Sequence, residues 1–384
     1  MKNIKSLLAI FSIAVVFGGI MIYYAANPSL EKMVGQMIMT GFHGDGMGEN
    51  PEEFSAIENQ IKSGQIGGVI LFDVDISGLL AQGMDIVEAK KHIFSSNIKN
   101  VEQVKKLNTH LQSIAPTKLL IAIDQEGGNI QRLKPEHGFA SIPSAKELGK
   151  VDIQTTYDIA YDLGNRLIDL GFNIDFAPLL DVDVNPESPA IGAKERSFSS
   201  DPESVSQHGW AFARGLSDAG MAYSFKHFPG HGSAGTDTHA GITDITITYQ
   251  DYELKPWQDL LKNAQPNTMV MVAHVVNNNF DTLPASISYK TIQKVRDMGF
   301  DGVIISDDMD MGAIANEYGT EKAVEMAINA GNDILVFGNN LTFDKNRGAD
   351  VNKMIVKMVR DGKISKSRIK ESYKRIKKLK ESIR

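Results

Sequence analysis

Eight short apolar runs, each broken off by polar or glycine-rich residues, recur along this chain: Met37 to Thr40, Gly68 to Phe72, Leu119 to Ile123, Ile174 to Leu180, Met221 to Phe225, Met269 to Val272, Gly302 to Ile305 and Asp333 to Phe337. Continuous runs of Val, Ile, Leu and Met at this length suit strands buried on both faces of a parallel sheet. The stretches between them have helical spacing, as in Ile153 to Leu170 and Tyr289 to Met298. Eight strand–helix alternations over roughly 310 residues fit an α/β fold of the (β/α)8 TIM-barrel type with insertions, typical barrels running to about 250 residues. A doubly wound open sheet is the alternative. Val74 to Ile98 and the loop Asp181 to Pro202 look inserted, and insertions after strands can wall a binding site. From Lys363 onward Ile364, Ile369, Tyr373, Ile376, Leu379 and Ile383 are spaced as the buried stripe of an amphipathic helix, with the basic residues on its solvated face.

At 384 residues and 42% hydrophobic the chain can bury a large core, and no Pro-, Ser- or Gly-rich linker or internal repeat divides it after residue 45. The net charge is -7, and discarding Lys2 and Lys5 with the first 26 residues makes it -9, which argues against nucleic acid as a partner. The chain has no cysteine, which excludes disulfides, thiolate catalysis and Cys-ligated zinc. Leu7 to Ala26 is an uncharged, mostly apolar stretch behind Lys2 and Lys5, the layout of an export signal or membrane anchor. Its length and the position of Tyr24 favour retention as an anchor. We therefore expect residues 1–26 to be a signal or anchor, 27–384 to be a single catalytic domain outside the cytoplasm, and the protein to act as a monomer.

In a barrel the active site gathers at the C-terminal ends of the strands, so the polar residues closing each run are candidates. Asp124 and Glu126 follow the third run, Asp181 and Asp183 the fourth, Lys226 and His227 the fifth, His274 the sixth, and Asp307 and Asp308 the seventh. A turn cap would account for Asp124 ahead of Gly127 and Gly128, and caps or supports for Asp308 and Asp310. Such roles explain one or two of these residues but not five consecutive strand ends.

Between Lys226 and His239 the chain reads Lys-His-Phe-Pro-Gly-His-Gly-Ser-Ala-Gly-Thr-Asp-Thr-His, three histidines, a lysine and a carboxylate beside three glycines and a proline. This composition predicts a loop that directs polar side chains to one point, with Gly230, Gly232 and Gly235 as a hinge. His227, His231, Asp237 and His239 could also be read as zinc or manganese ligands. Pro229 and the glycines argue against a helical His pair, however, and Lys226 would set a competing cation in the site.

The segment Lys226-His227-Phe228-Pro229-Gly230-His231-Gly232, followed after four residues by Asp237-Thr238-His239, resembles the signature of glycoside hydrolase family 3, specifically its bacterial β-N-acetylglucosaminidase branch. Supporting pieces are Ser306-Asp307-Asp308-Met309 after Gly302 to Ile305, Ala177-Pro178-Leu179-Leu180-Asp181-Val182, Asp124-Gln125-Glu126-Gly127-Gly128 with Arg132, and Ile191-Gly192 ahead of Arg196-Ser197-Phe198. The likeness spans roughly residues 30 to 384. Departures are Asn129 where an arginine is common, a lengthened loop at Ala193 to Glu195, and the long Val74 to Ile98 stretch.

The resemblance implies a TIM-type barrel that acts as a retaining exo-hydrolase on terminal β-linked N-acetylglucosamine, needing neither cofactor nor metal. Retaining hydrolysis requires a carboxylate to attack the anomeric carbon and a second group to protonate the leaving oxygen. The resemblance assigns the first role to Asp307 and the second to His239 held by Asp237, with Asp124, Arg132, Arg196, Lys226 and His227 binding the sugar and His231 and His274 in support. Its natural substrates would be cell-wall fragments or chitooligosaccharides. A β-glucosidase of the same family, a metal-dependent barrel hydrolase and a non-catalytic sugar-binding protein are the competing readings.

Overall fold

The computed structural model describes residues 28–84, 96–238 and 241–384. The expected signal or anchor at 1–26, most of the second half of the Val74 to Ile98 insertion, and His239 lie outside the described residues. Among the described residues no helix is long and apolar enough to cross a membrane.

All eight apolar runs become strands of one closed parallel barrel: β1 (Ile38–Thr40), β2 (Gly68–Ile70), β3 (Leu120–Ile123), β4 (Ile174–Asp175), β5 (Ala222–Phe228), β6 (Thr268–Val272), β7 (Val303–Asp308) and β8 (Ile334–Phe337). Each pairs in parallel with its sequence neighbours, and β1 closes on β8 through Ile38 opposite Leu335. Every residue of β1, β2, β3, β6 and β8 is buried, as a sheet enclosed by helices requires. The predicted helix is present as Ile153–Asp169, capped by the Asp152 side chain accepting from Thr155 N at 2.9 Å. Its buried residues Thr156, Ala160, Leu163, Gly164 and Leu167 recur at three- and four-residue intervals, which turns one face onto the barrel and the neighbouring helix.

Two strands are longer than the hydrophobic pattern predicts. β5 runs through Lys226 and His227 to Phe228, where a loop was expected to begin at Lys226, and β7 runs past Ile305 to Asp308. In each the neighbouring strand maintains pairing beyond the apolar run: Phe228 is opposite Val272, and Asp308 is opposite Val336. Tertiary pairing overrides the local composition here. Each extension absorbs one extra residue as a bulge, between Phe225 and Phe228 and between Ile305 and Asp308. A bulge re-aims the side chains around it, and these two surround Lys226, His227 and Asp307.

The C-terminal helix Lys366–Glu381 docks as its spacing predicts, burying Ile369, Ile376 and Leu379. What fixes it is a buried carboxylate. Asp333, fully enclosed immediately before β8, accepts from Arg368 and Ser372 of that helix at 2.8 Å each, and from Arg296 at 2.9 Å and Ile304 N at 3.1 Å. Burial alone would raise the Asp333 carboxyl; Arg368, Arg296 and Arg375 outweigh it and hold it below the usual range. Replacing Asp333 with alanine strands these guanidinium groups, so the variant should lose about 3–5 kcal/mol of stability in denaturant titration.

Candidate active site

The C-terminal ends of the strands enclose a cavity of about 610 Å³. Asp124, Arg132, Arg196, Lys226, His227, Asp237 and Asp307 all line it, so seven of the eight sequence-predicted site residues share one pocket. The eighth is His239, outside the described residues.

Its floor is a chain of alternating charges. Lys226 Nζ, projecting from the bulged part of β5, meets Glu126 Oε1 at 2.6 Å and Asp124 Oδ1 at 3.0 Å. Arg196 grips both oxygens of Glu126, Nε at 2.8 Å and Nη2 at 2.7 Å, while its Nη1 donates to Ala190 O at 2.9 Å. At the other end Arg132 Nη2 reaches Asp124 at 3.3 Å and its Nη1 lies 3.7 Å from Asp73, which also binds Lys134 at 2.6 Å. Asp124 is therefore an ion-pair member rather than a turn cap. The guanidinium of Arg132 also lies over the Phe72 ring, 5.6 Å from its centroid.

The geometry governs ionisation. Burial would raise Glu126, but Arg196 and Lys226 bring it down to about 2. Asp124 is likewise lowered against burial by Lys226 and Arg132, and Lys226 is raised against burial by Glu126 and Asp124. All of these groups stay charged at neutral pH. Asp175 contrasts with them: burial raises it well above the carboxylate range, and only its Oδ1 is used, accepting from Gln125 N at 3.0 Å.

A second carboxylate holds the histidines. Asp181 accepts from His227 Nδ1 at 2.7 Å, from the backbone N of His227 at 3.2 Å and from the backbone N of His231 at 2.8 Å. These bonds fix His227 as the Nδ1–H tautomer, leaving Nε2 as acceptor in the neutral ring. His231 lies edge-on to His227 with centroids 5.8 Å apart, and burial followed by the neighbouring His227 lowers it to about 4. His274 donates from Nε2 to Asp308 O at 2.9 Å and takes the Ser286 hydroxyl on Nδ1 at 2.6 Å, tying β7 to the loop after β6.

On β7, Asp307 lines the pocket and its Oδ1 accepts the backbone N of Asp308 at 2.8 Å. Asp308 also lines the pocket, accepting from Asp310 N at 2.9 Å and Gly338 N at 2.7 Å, and burial with Asp310 close by raises it. Asp310 is engaged by Arg347. Both fill the supporting positions expected from the sequence.

In the loop after β5, Gly230 has φ +138°, a conformation that favours glycine. Gly232 is different. A Cβ there would fall 1.7 Å from Val182 O, so this residue is required for close packing and does not serve as the expected free hinge. Asp237 Oδ2 lies 3.4 Å from Lys194 Nζ.

Five members of the site received no role from the sequence: Asp73, Lys134, Glu126, Asp181 and Lys194. Asp73 directly follows the second apolar run, so the strand-end rule that singled out Asp124 could have found it. Glu126 and Asp181 stood at strand ends, but their partners come from other strands. Among the described residues no group of three or more His, Asp or Glu is arranged to hold a metal ion.

Residues 29–379 match the model of the glycosyl hydrolase family 3 N terminal domain. A protein of Hydrogenovibrio crunogenus named beta-hexosaminidase is 36% identical over 270 residues, 67% of this chain and 73% of that protein. The solved glycoside hydrolase family 3 beta-N-acetylglucosaminidase of a Paenibacillus species superposes with a TM-score of 0.79 at 32% identity, covering 92% of this chain. This chain spans 62% of the length of that one. The beta-N-acetylhexosaminidase of Beutenbergia cavernae gives a TM-score of 0.77 at 25% identity, over 93% of this chain and 99% of its own. With the barrel, the charged pocket and a family match over nearly its whole length, the chain belongs to glycoside hydrolase family 3 and is a glycosidase similar to that family's β-hexosaminidases.

Proposed function

We propose that this glycosidase is an exo-acting β-N-acetylhexosaminidase that releases terminal, non-reducing β-linked N-acetylglucosamine with retention of configuration. The observation that carries the reading is the convergence of Asp307 and Asp237 in a pocket whose floor is the Asp124, Arg132, Lys226, Glu126 and Arg196 ion-pair chain. In it Asp307 attacks the anomeric carbon from β7, forming a glycosyl-aspartate as the leaving oxygen departs. His239, supported by Asp237, protonates that oxygen and then takes a proton from the water that hydrolyses the intermediate.

Binding falls to polar groups held rigid by the floor and by Asp181. The Arg132 side chain is 27% exposed at the pocket wall, and His227 Nε2 is left over by the Asp181 contacts, so both are suited to a sugar hydroxyl or the acetamido group. The substrates proposed are N-acetylglucosamine-terminated cell-wall fragments or chitooligosaccharides. An exchange of acetamido for hydroxyl in the substrate would separate this activity from that of a β-glucosidase.

The division of labour is tested with substrates of different leaving group. General acid help is worth about 10²–10⁴ in rate, and it matters most where the departing oxygen is basic. His239→Ala should therefore lose about 10²–10⁴ in kcat/KM on chitobiose and far less on a dinitrophenyl β-N-acetylglucosaminide. Equal losses on both substrates would remove His239 from the acid role. Failure of the wild-type protein to hydrolyse either substrate would remove the hexosaminidase reading itself.

A further inference from the structure

Asp237, the carboxylate assigned to support proton transfer, has a cationic neighbour that the proposed mechanism does not use. Lys194 Nζ lies 3.4 Å from Asp237 Oδ2, and both residues line the pocket. The pair is only partly exposed, at 35% for the lysine side chain and 23% for the carboxylate.

The backbone carrying Lys194 is fixed from several sides. It ends a 3-10 turn, Gly192–Lys194, in which Lys194 N and Arg196 N each donate to Ile191 O at 3.2 Å. The Asn129 amide, from the segment after β3, donates to Lys194 O at 3.2 Å. Glu195 is left-handed at φ +57°, and its carbonyl accepts from Lys146 N at 3.2 Å. Two residues after Lys194 the same loop delivers Arg196 to Glu126. One short segment thus supplies a cation to the pocket floor and another to Asp237.

Among the described residues, the other charges around this pocket are engaged as follows. Arg132, Lys134, Arg196 and Lys226 pair with Asp73, Asp124 and Glu126, and His227 pairs with Asp181. His231 faces Thr238 at 3.4 Å, while Asp307 and Asp308 enter from β7. Among the described residues, Lys194 is the pocket cation set against Asp237.

We propose that Lys194 is a positioning residue for Asp237, sharing the carboxylate that supports the acid/base group and so setting the pH range of turnover. The inference rests on the mechanism proposed above. A carboxylate beside an imidazole favours its protonated form, and an ammonium on the same carboxylate opposes that preference. Removing the ammonium lets the acid form persist to higher pH, so the alkaline limb of the kcat/KM profile moves up.

The test uses the full-length chain and chitobiose, an uncharged substrate whose basic leaving oxygen makes the alkaline limb report the acid form and which keeps direct attraction to Lys194 out of the measurement. Lys194→Met should shift the alkaline limb upward by about half a pH unit, the scale of a partly exposed ion pair. Lys194→Arg should restore the wild-type limb. In roughly 1 M salt, where the Debye length is about 3 Å, the difference between wild type and Lys194→Met should shrink. A limb that stays put in Lys194→Met, or moves equally in Lys194→Arg, overturns the proposal. So does an unmoved limb with a raised KM confined to a carboxylate-bearing disaccharide, which would make Lys194 a substrate-binding residue. Wild-type turnover of the uncharged substrate is measured first, because its absence defeats the hexosaminidase reading and not the role of Lys194 within it.

Discussion

The site depends on the alternation of buried and half-buried charge that runs Lys134, Asp73, Arg132, Asp124, Lys226, Glu126, Arg196. Drawing seven ionised groups wholly or partly out of water is costly, and such pairs contribute little net stability compared with apolar packing. Their value lies in position. Each carboxylate between two cations fixes both, and Lys226, 2% exposed, has no freedom to follow a ligand. Removing Glu126 takes the carboxylate from Arg196 and leaves Lys226 with Asp124 alone, a change that typically costs about 3–5 kcal/mol. This part of the pocket is thus assembled before substrate arrives.

The chain draws its members from different strand ends: Asp73 after β2, Asp124 and Glu126 after β3, Lys226 on β5. A parallel closed barrel is the geometry that brings these together, because every strand presents its C-terminal end at the same mouth. The bulges in β5 and β7 then adjust two of those ends, at Lys226 and His227 and at Asp307 and Asp308. Asp181 adds a second fixed point, holding the His227 ring and the backbone of His231 together, so the loop after β5 starts from a rigid base. Gly232, pressed onto the Val182 carbonyl, extends that rigidity.

Much of this was legible from residue order. The apolar runs mark all eight strands because a strand buried on both faces must be continuously apolar, and Asp124, Lys226 and Asp307 were visible because polarity interrupts those runs. The extension of β5 through Lys226 and His227 was not legible, since it is imposed by Leu179 and Val272 on the neighbouring segments. Nor were the pairings of Glu126 with Arg196, 70 residues away, or of Asp181 with His227, 46 residues away. Composition shows that such charges exist, and only the closed barrel determines which of them meet. The contact of Lys194 with Asp237 is of the same kind, joining two loops that carry no common sequence pattern.

The central claim is that Asp307 is the group that bonds to the sugar. Incubation with a fluorinated N-acetylglucosaminyl fluoride, which forms a glycosyl-enzyme but hydrolyses slowly, followed by peptide mass spectrometry, tests it directly. The account predicts one sugar mass added to the peptide containing Asp307, with the label located on that residue and absent from Asp307→Asn. A label on Asp308 or Asp237, or continued hydrolysis of the natural substrate by Asp307→Asn at the wild-type rate, would contradict it.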